Sequence, residues 1–168
     1  MNTILLLDLE NTIIWDWTDD PRLMCARFPV LKEWVCSHLG PETRVGLLSM
    51  AVWDERDLDI FNTRGIRHDI EITHKFKFDD ELIFIRDELL PKFREWLKMP
   101  WLDADDFTAF MKKTEMVMHL WLKELAKPDT KVILFDDTVP DLVITHSTIP
   151  NCTLELVDPW TIIKRDLE

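Results

Sequence analysis

The stretch Thr3-Ile4-Leu5-Leu6-Leu7-Asp8-Leu9-Glu10-Asn11-Thr12 carries two signals within ten residues. Its first part is a continuous apolar run without alternation, the pattern of a β-strand covered on both faces. Its second part breaks into carboxylates, an amide and a hydroxyl. Two further strong runs repeat the combination: Arg44-Val-Gly-Leu-Leu-Ser-Met50, and Lys131-Val-Ile-Leu-Phe135 followed by Asp136-Asp137-Thr138-Val139-Pro140-Asp141. Thr153-Leu-Glu-Leu-Val157 is a weaker strand. Asp69-Ile-Glu-Ile-Thr73 alternates, which predicts a less buried strand.

Helical patterns fill the gaps. Pro29 suits a first helical position, and Gly40-Pro41 ends the stripe carried by Val30, Leu31, Trp34, Val35 and Leu39. A short helix is expected over 54–61, with Gly65 past its end. A longer one is expected over 80–97, broken or kinked at Pro91. Residues 107–126 show the clearest apolar stripe, with Asp105 or Asp106 as candidate caps. Met99 to Asp106 reads as a loop within the domain. Strands alternating with helices predict an α/β fold: one three-layer α/β/α domain over residues 1–168, built on a mainly parallel, Rossmann-like sheet.

Composition narrows the function classes. The chain has 168 residues, 46% hydrophobic and 31% charged, the balance of a globular domain with one core. Twenty Lys and Arg against 32 Asp and Glu give a net charge of -12, which disfavours electrostatic, sequence-independent DNA binding. Three widely spaced cysteines, Cys25, Cys36 and Cys152, form neither a disulfide framework nor a zinc motif, so a reducing cytoplasmic compartment is expected. The apolar run Ile4–Leu7 is too short for a signal peptide, and no stretch reaches the ~20 apolar residues of a membrane span. With only three glycines there is no Gly-rich phosphate loop.

In open parallel sheets, ligands bind beyond the carboxyl ends of the strands. Asp8, Glu10, Asp136, Asp137 and Asp141 would crowd that edge and repel one another unless a divalent cation neutralised them. Hard oxygen ligands select Mg2+ over zinc. A single Asp after a strand commonly just caps the next helix. The ordered set is harder to explain that way.

The set resembles the haloacid dehalogenase (HAD) superfamily, whose members are mostly Mg2+-dependent phosphatases. Its first motif is an apolar strand running into Asp-x-Asp-x-Thr, matched by Ile4 to Thr12 with one substitution. Its second, a strand ending in Ser or Thr, is matched by Gly46-Leu-Leu-Ser49. Its third is a Lys near the start of the helix before the last motif strand, for which Lys112 or Lys113 is in position. Its fourth, an acidic pair followed by another Asp, is matched by Asp136, Asp137 and Asp141. The likeness covers residues 4 to about 157.

The resemblance implies that Asp8 is the nucleophile and that Glu10 is the general acid and base. It implies Mg2+ on Asp8 and Asp137 with the carbonyl of Glu10, and with Asp136 and Asp141 in the same acidic cluster. Ser49, Met50, Thr12 and Lys113 would bind the phosphoryl group, Lys113 also neutralising the nucleophile. Glu10 departs from the family's usual Asp. Its extra methylene moves the carboxyl by roughly an ångström, enough to matter for a catalytic group. It therefore marks either an acid reaching a different leaving group or a catalytically weakened domain that binds a phosphorylated ligand or protein partner. Asn11 replaces a frequent Gly and also tolerates positive φ.

Look-alikes fail on order. Receiver domains place the acidic pair after the first strand and the phosphorylated Asp after a central one. A serine hydrolase would want Gly-x-Ser-x-Gly around Ser49. Residues 13–43 leave room for a flap and a small helical insertion, and 65–106 for core elements with at most a small cap. By the resemblance, such members act on large substrates or close the site by oligomerisation. The expected substrate is a nucleotide, another phosphorylated small molecule or a phosphorylated nucleic-acid end. Trp15-Asp16-Trp17 falls where the flap belongs, to stack on a flat substrate or to pack on the core. His74-Lys75-Phe76-Lys77 is either a guide for a phosphate chain or a solvated strand end. Trp101 is expected in cap packing and Trp121 in the core. His38, His68, His119 and His146 show no ligand spacing.

Overall fold

The computed structural model describes residues 2–9, 13–14, 29–48, 54–106, 129–135 and 153–157. Among the described residues, five strands form one sheet: β1 (Asn2–Leu7), β2 (Thr43–Leu48), β3 (Phe78–Phe84), β4 (Thr130–Phe135) and β5 (Thr153–Val157). The described helices are α1 (Pro29–His38), α2 (Glu55–Thr63), α3 (Ile66–His74) and α4 (Arg86–Leu97). Strand order is β3-β2-β1-β4-β5, and every neighbouring pair is parallel. This is a small α/β fold on a parallel sheet, as the alternation of strands and helices predicts.

The apolar runs form the centre because they have no polar face to offer water. Ile4 to Leu7 and Val132 to Phe135 are buried without a break, so β1 and β4 are covered on both sides. The odd-numbered side chains Leu5, Leu7, Val45, Leu47, Ile133 and Phe135 share one cluster with Val35 of α1, Phe61 of α2 and Ile70 of α3. Fully burying each such side chain stabilises the fold by roughly 1.5–3 kcal/mol. Asp54 caps α2 by accepting a hydrogen bond from the Asp57 N–H at 2.9 Å. Gly65, at φ 81, turns the chain from α2 directly into α3. The Cys36 thiol of α1 donates to the His74 carbonyl of α3 at 3.2 Å.

Several expectations are corrected. Residues 69–73 are not a strand but lie inside α3. In a strand Ile70 and Ile72 would share a face; here Ile70 is fully buried and Ile72 is 62% exposed. The buried set is Ile66, Ile70 and His74, spaced four apart on one helical face. The helix expected from residue 80 begins only at Arg86, because residues 80–84 belong to β3. It continues through Pro91 rather than breaking there. Residues 104–106 are helical, and the side chain that caps this turn is Asp103, accepting from the Asp106 N–H at 2.8 Å, not Asp105 or Asp106. Trp101 is 73% exposed and is not a packing residue. The stripe over 107–126, with Trp121, lies outside the described residues.

The edge strand β3 is irregular. Between two register pairs, Val45↔Phe78 and Leu47↔Ile83, β3 gains chain relative to β2. The bulge rests on Gly46, where an added Cβ would lie 2.5 Å from the Leu82 carbonyl oxygen and 2.6 Å from Leu82 Cβ. Its acidic residues are held by two arginines. Arg44 donates to Asp79 at 2.6 Å and to Glu81 at 3.0 Å, while Arg67 pairs with Asp80 at 2.8 Å and donates to the Phe78 carbonyl at 3.2 Å. An edge bulge lined with charge also discourages pairing with a foreign strand. Among the described residues, no helix is long and apolar enough to cross a membrane.

Candidate functional site

Strand order dictates where a ligand can sit. The chain steps outward from β1 through β2 to β3, then returns across β1 to lay down β4 and β5. In strand order β1 and β4 are therefore followed by neighbours on opposite sides, the topological switch point beyond whose carboxyl ends open α/β sheets generally bind ligands. Leu7 stands in register with Leu47 of β2 and Phe135 of β4, so β1 and β4 end in one row and β2 runs one residue further.

Asp8 is the next residue past that row. It is 1% exposed, and its N–H donates to the Phe135 carbonyl at 3.0 Å, extending the ladder by one bond. A carboxylate held this deep costs free energy unless it is paired or hydrogen-bonded. The Leu9 carbonyl then accepts from both Ile13 and Ile14 N–H at 3.0 Å. Leu9, Ile13 and Ile14 are fully buried, so the chain on either side of residues 10–12 is pinned to the core. The sequence reading did not anticipate this turn, though the adjacent apolar pair Ile13-Ile14 after a polar triplet was the available signal.

Of the sequence-predicted site residues, the structure describes Asp8. Glu10, Thr12, Ser49, Met50, Lys112, Lys113, Asp136, Asp137 and Asp141 lie outside the described residues, as do Trp15, Trp17, His119 and His146. Along the chain, Ser49 follows Leu47 by two residues, and Asp136 and Asp137 follow Phe135 by one and two. Two residues of chain span at most about 7 Å. Among the described residues, no group of three or more His, Cys, Asp or Glu side chains could hold a metal. Asp8 is the one described member of the expected oxygen donor set.

The His74–Lys77 stretch is corrected in place and in role. His74 is the buried last residue of α3, and β3 begins at Phe78. Because β3 runs parallel to its neighbours, this stretch lies at the amino edge of the sheet, opposite Asp8. Neither a phosphate guide to Asp8 nor a solvated strand end describes it. His38 has a structural place: its ring stacks on Trp34 at 4.1 Å, and Nδ1 lies 2.8 Å from the Trp34 carbonyl.

One neighbour of the site escaped the sequence reading. Trp34 of α1 stacks on Phe135 with ring centroids 4.7 Å apart and planes 14° apart. Its period within α1 marked it as apolar-facing, but nothing local pointed to its partner on β4. Comparison with family models, curated proteins and solved structures returned no match.

Proposed function

We propose that this chain is a Mg2+-dependent phosphomonoesterase of the HAD type, working through an aspartyl-phosphate on Asp8. The observation that supports this most is the buried carboxylate of Asp8 at the switch point between β1 and β4. Its strand neighbours lead, within two residues, to a serine and to an acidic pair.

In this reading an Asp8 oxygen attacks phosphorus as the bond to the leaving oxygen breaks. Glu10 delivers a proton to that oxygen, then takes one from the water that attacks the phosphoenzyme, releasing phosphate and restoring Asp8. Ser49, Met50 and Thr12 orient the phosphoryl oxygens, and Lys113, or Lys112 one register step away, offsets their charge. Asp8, Asp137 and the Glu10 carbonyl, with Asp136 and Asp141 nearby, suit Mg2+, which when bound neutralises charge developing on the transferred group. The small room for a cap favours a nucleotide or a phosphorylated nucleic-acid end as substrate.

The test is phosphate release with Mg2+ over nucleotides, sugar phosphates and 3'- or 5'-phosphorylated oligonucleotides. Asp8→Asn should abolish release from every substrate. Glu10→Gln should slow alkyl phosphates by roughly 10²–10⁴-fold and spare the first step with p-nitrophenyl phosphate, whose leaving group needs no proton. A wild type that releases no phosphate but binds phosphorylated ligands would make the weakened, ligand-binding domain the correct reading, the alternative that Glu10 keeps open.

A further inference from the structure

We infer that Trp34 is a positioning residue for the Asp8 site, acting through Phe135. This deepens the phosphatase reading, since Phe135 immediately precedes Asp136-Asp137.

Beside its register partners Leu7 of β1 and Val157 of β5, Phe135 makes two further contacts. Its carbonyl accepts the Asp8 N–H at 3.0 Å, and its ring, fully buried, lies flat against Trp34 at 4.7 Å. The carbonyl of Phe135 and the N–H of Asp136 share one rigid peptide plane. Whatever fixes Phe135 therefore fixes the acceptor of the Asp8 N–H. The Asp8 bond holds that plane at the end of the described β1–β4 ladder. The flat ring contact resists rotation of the Phe135 side chain and, through Cα, of the plane itself. Trp34 is in turn stacked on His38, whose Nδ1 lies 2.8 Å from the Trp34 carbonyl. The ring that steadies Phe135 is thus tied to the carboxyl end of α1. Replacing it by a smaller group without a flat face removes that stack and loosens the packing on Phe135. Displacements of about an ångström at such a site are costly for chemistry.

The test compares Trp34→Leu, which is apolar but smaller and has no flat face, with Trp34→Phe, which restores a ring. Amide hydrogen exchange at Asp8 reports the bond to Phe135, and Leu5 and Leu6 report the middle of β1. Magnesium affinity by titration calorimetry reports the site. In Trp34→Leu, exchange at Asp8 should quicken roughly 3- to 10-fold, the worth of an aromatic pair, and Trp34→Phe should return it toward wild type. A purely structural role would quicken Leu5 and Leu6 and leave local opening at Asp8 unchanged. That outcome overturns the inference, as does a Trp34→Phe protein that behaves like Trp34→Leu. Mg2+ binding should weaken in step with the Asp8 exchange. A wild type that binds no Mg2+, with the exchange pattern as expected, would remove the phosphatase reading and leave the positioning role standing. Unchanged Mg2+ affinity in Trp34→Leu would remove the link between Phe135 and the site.

Discussion

The centre of the sheet and its β3 edge are stabilised by opposite means. Strands β1 and β4 are buried on both faces from Ile4 to Leu7 and from Val132 to Phe135, and their pairing is unbroken. Strand β3 puts Asp79, Asp80 and Glu81 into its own middle, breaks register with β2 and depends on Arg44 and Arg67 to hold the bulge. The centre needs only to exclude water, which any tight apolar packing does. The edge needs particular partners at particular distances. The carboxylate suited to chemistry sits at the end of the featureless region, where a rigid platform fixes its position.

That contrast predicts a ranking of substitutions. Leu5→Ala, at a fully buried central position, should cost about 2–5 kcal/mol in urea unfolding, the largest loss of the set. A loss no greater than that at the edge would break the contrast.

Gly46→Ala comes next. A methyl group 2.5 Å from the Leu82 carbonyl must push the bulge away, at roughly 1–3 kcal/mol. The same measurement should find Gly40→Ala far milder, because its nearest contact is Thr43 Oγ1 at 3.7 Å.

Arg44→Ala should be the mildest and the most pH-dependent. The hydrogen bond from Arg44 holds the Asp79 carboxyl below its ordinary pKa, against desolvation and with help from the Glu81 N–H. A depressed folded pKa contributes stability above the unfolded value of about 4, and this is lost as pH falls through the folded value. Both partners are partly solvated, the Arg44 side chain 41% and Asp79 28% exposed, so the pair is worth about 0.5–1 kcal/mol. The difference between wild type and Arg44→Ala should therefore be full at pH 7 and shrink below about pH 4. Unfolding curves at pH 7 and pH 3 would show it, and a difference independent of pH would remove Asp79 from the account.

Sequence alone was enough for β1, β2, β4, β5, α1 and α2, and for placing Asp8 at a strand's carboxyl end. In those elements the pattern of water exclusion is local, and an uninterrupted run such as Ile4–Leu7 has one stable use. Sequence also ordered Asp8, Ser49, Lys113 and the Asp136–Asp137 pair along the chain in the pattern that suggested the chemistry. Only the tertiary structure decided that 66–74 is a helix, since the alternation of Ile70 and Ile72 was real but only Ile70 found a core to enter. It decided as well that Phe78–Phe84 is a strand, because three consecutive acids become tolerable there only when Arg44 and Arg67 arrive from β2 and α3. The stack of Trp34 on Phe135 joins residues 101 positions apart. No local period encodes such a pairing, because it exists only once α1 has packed across the sheet.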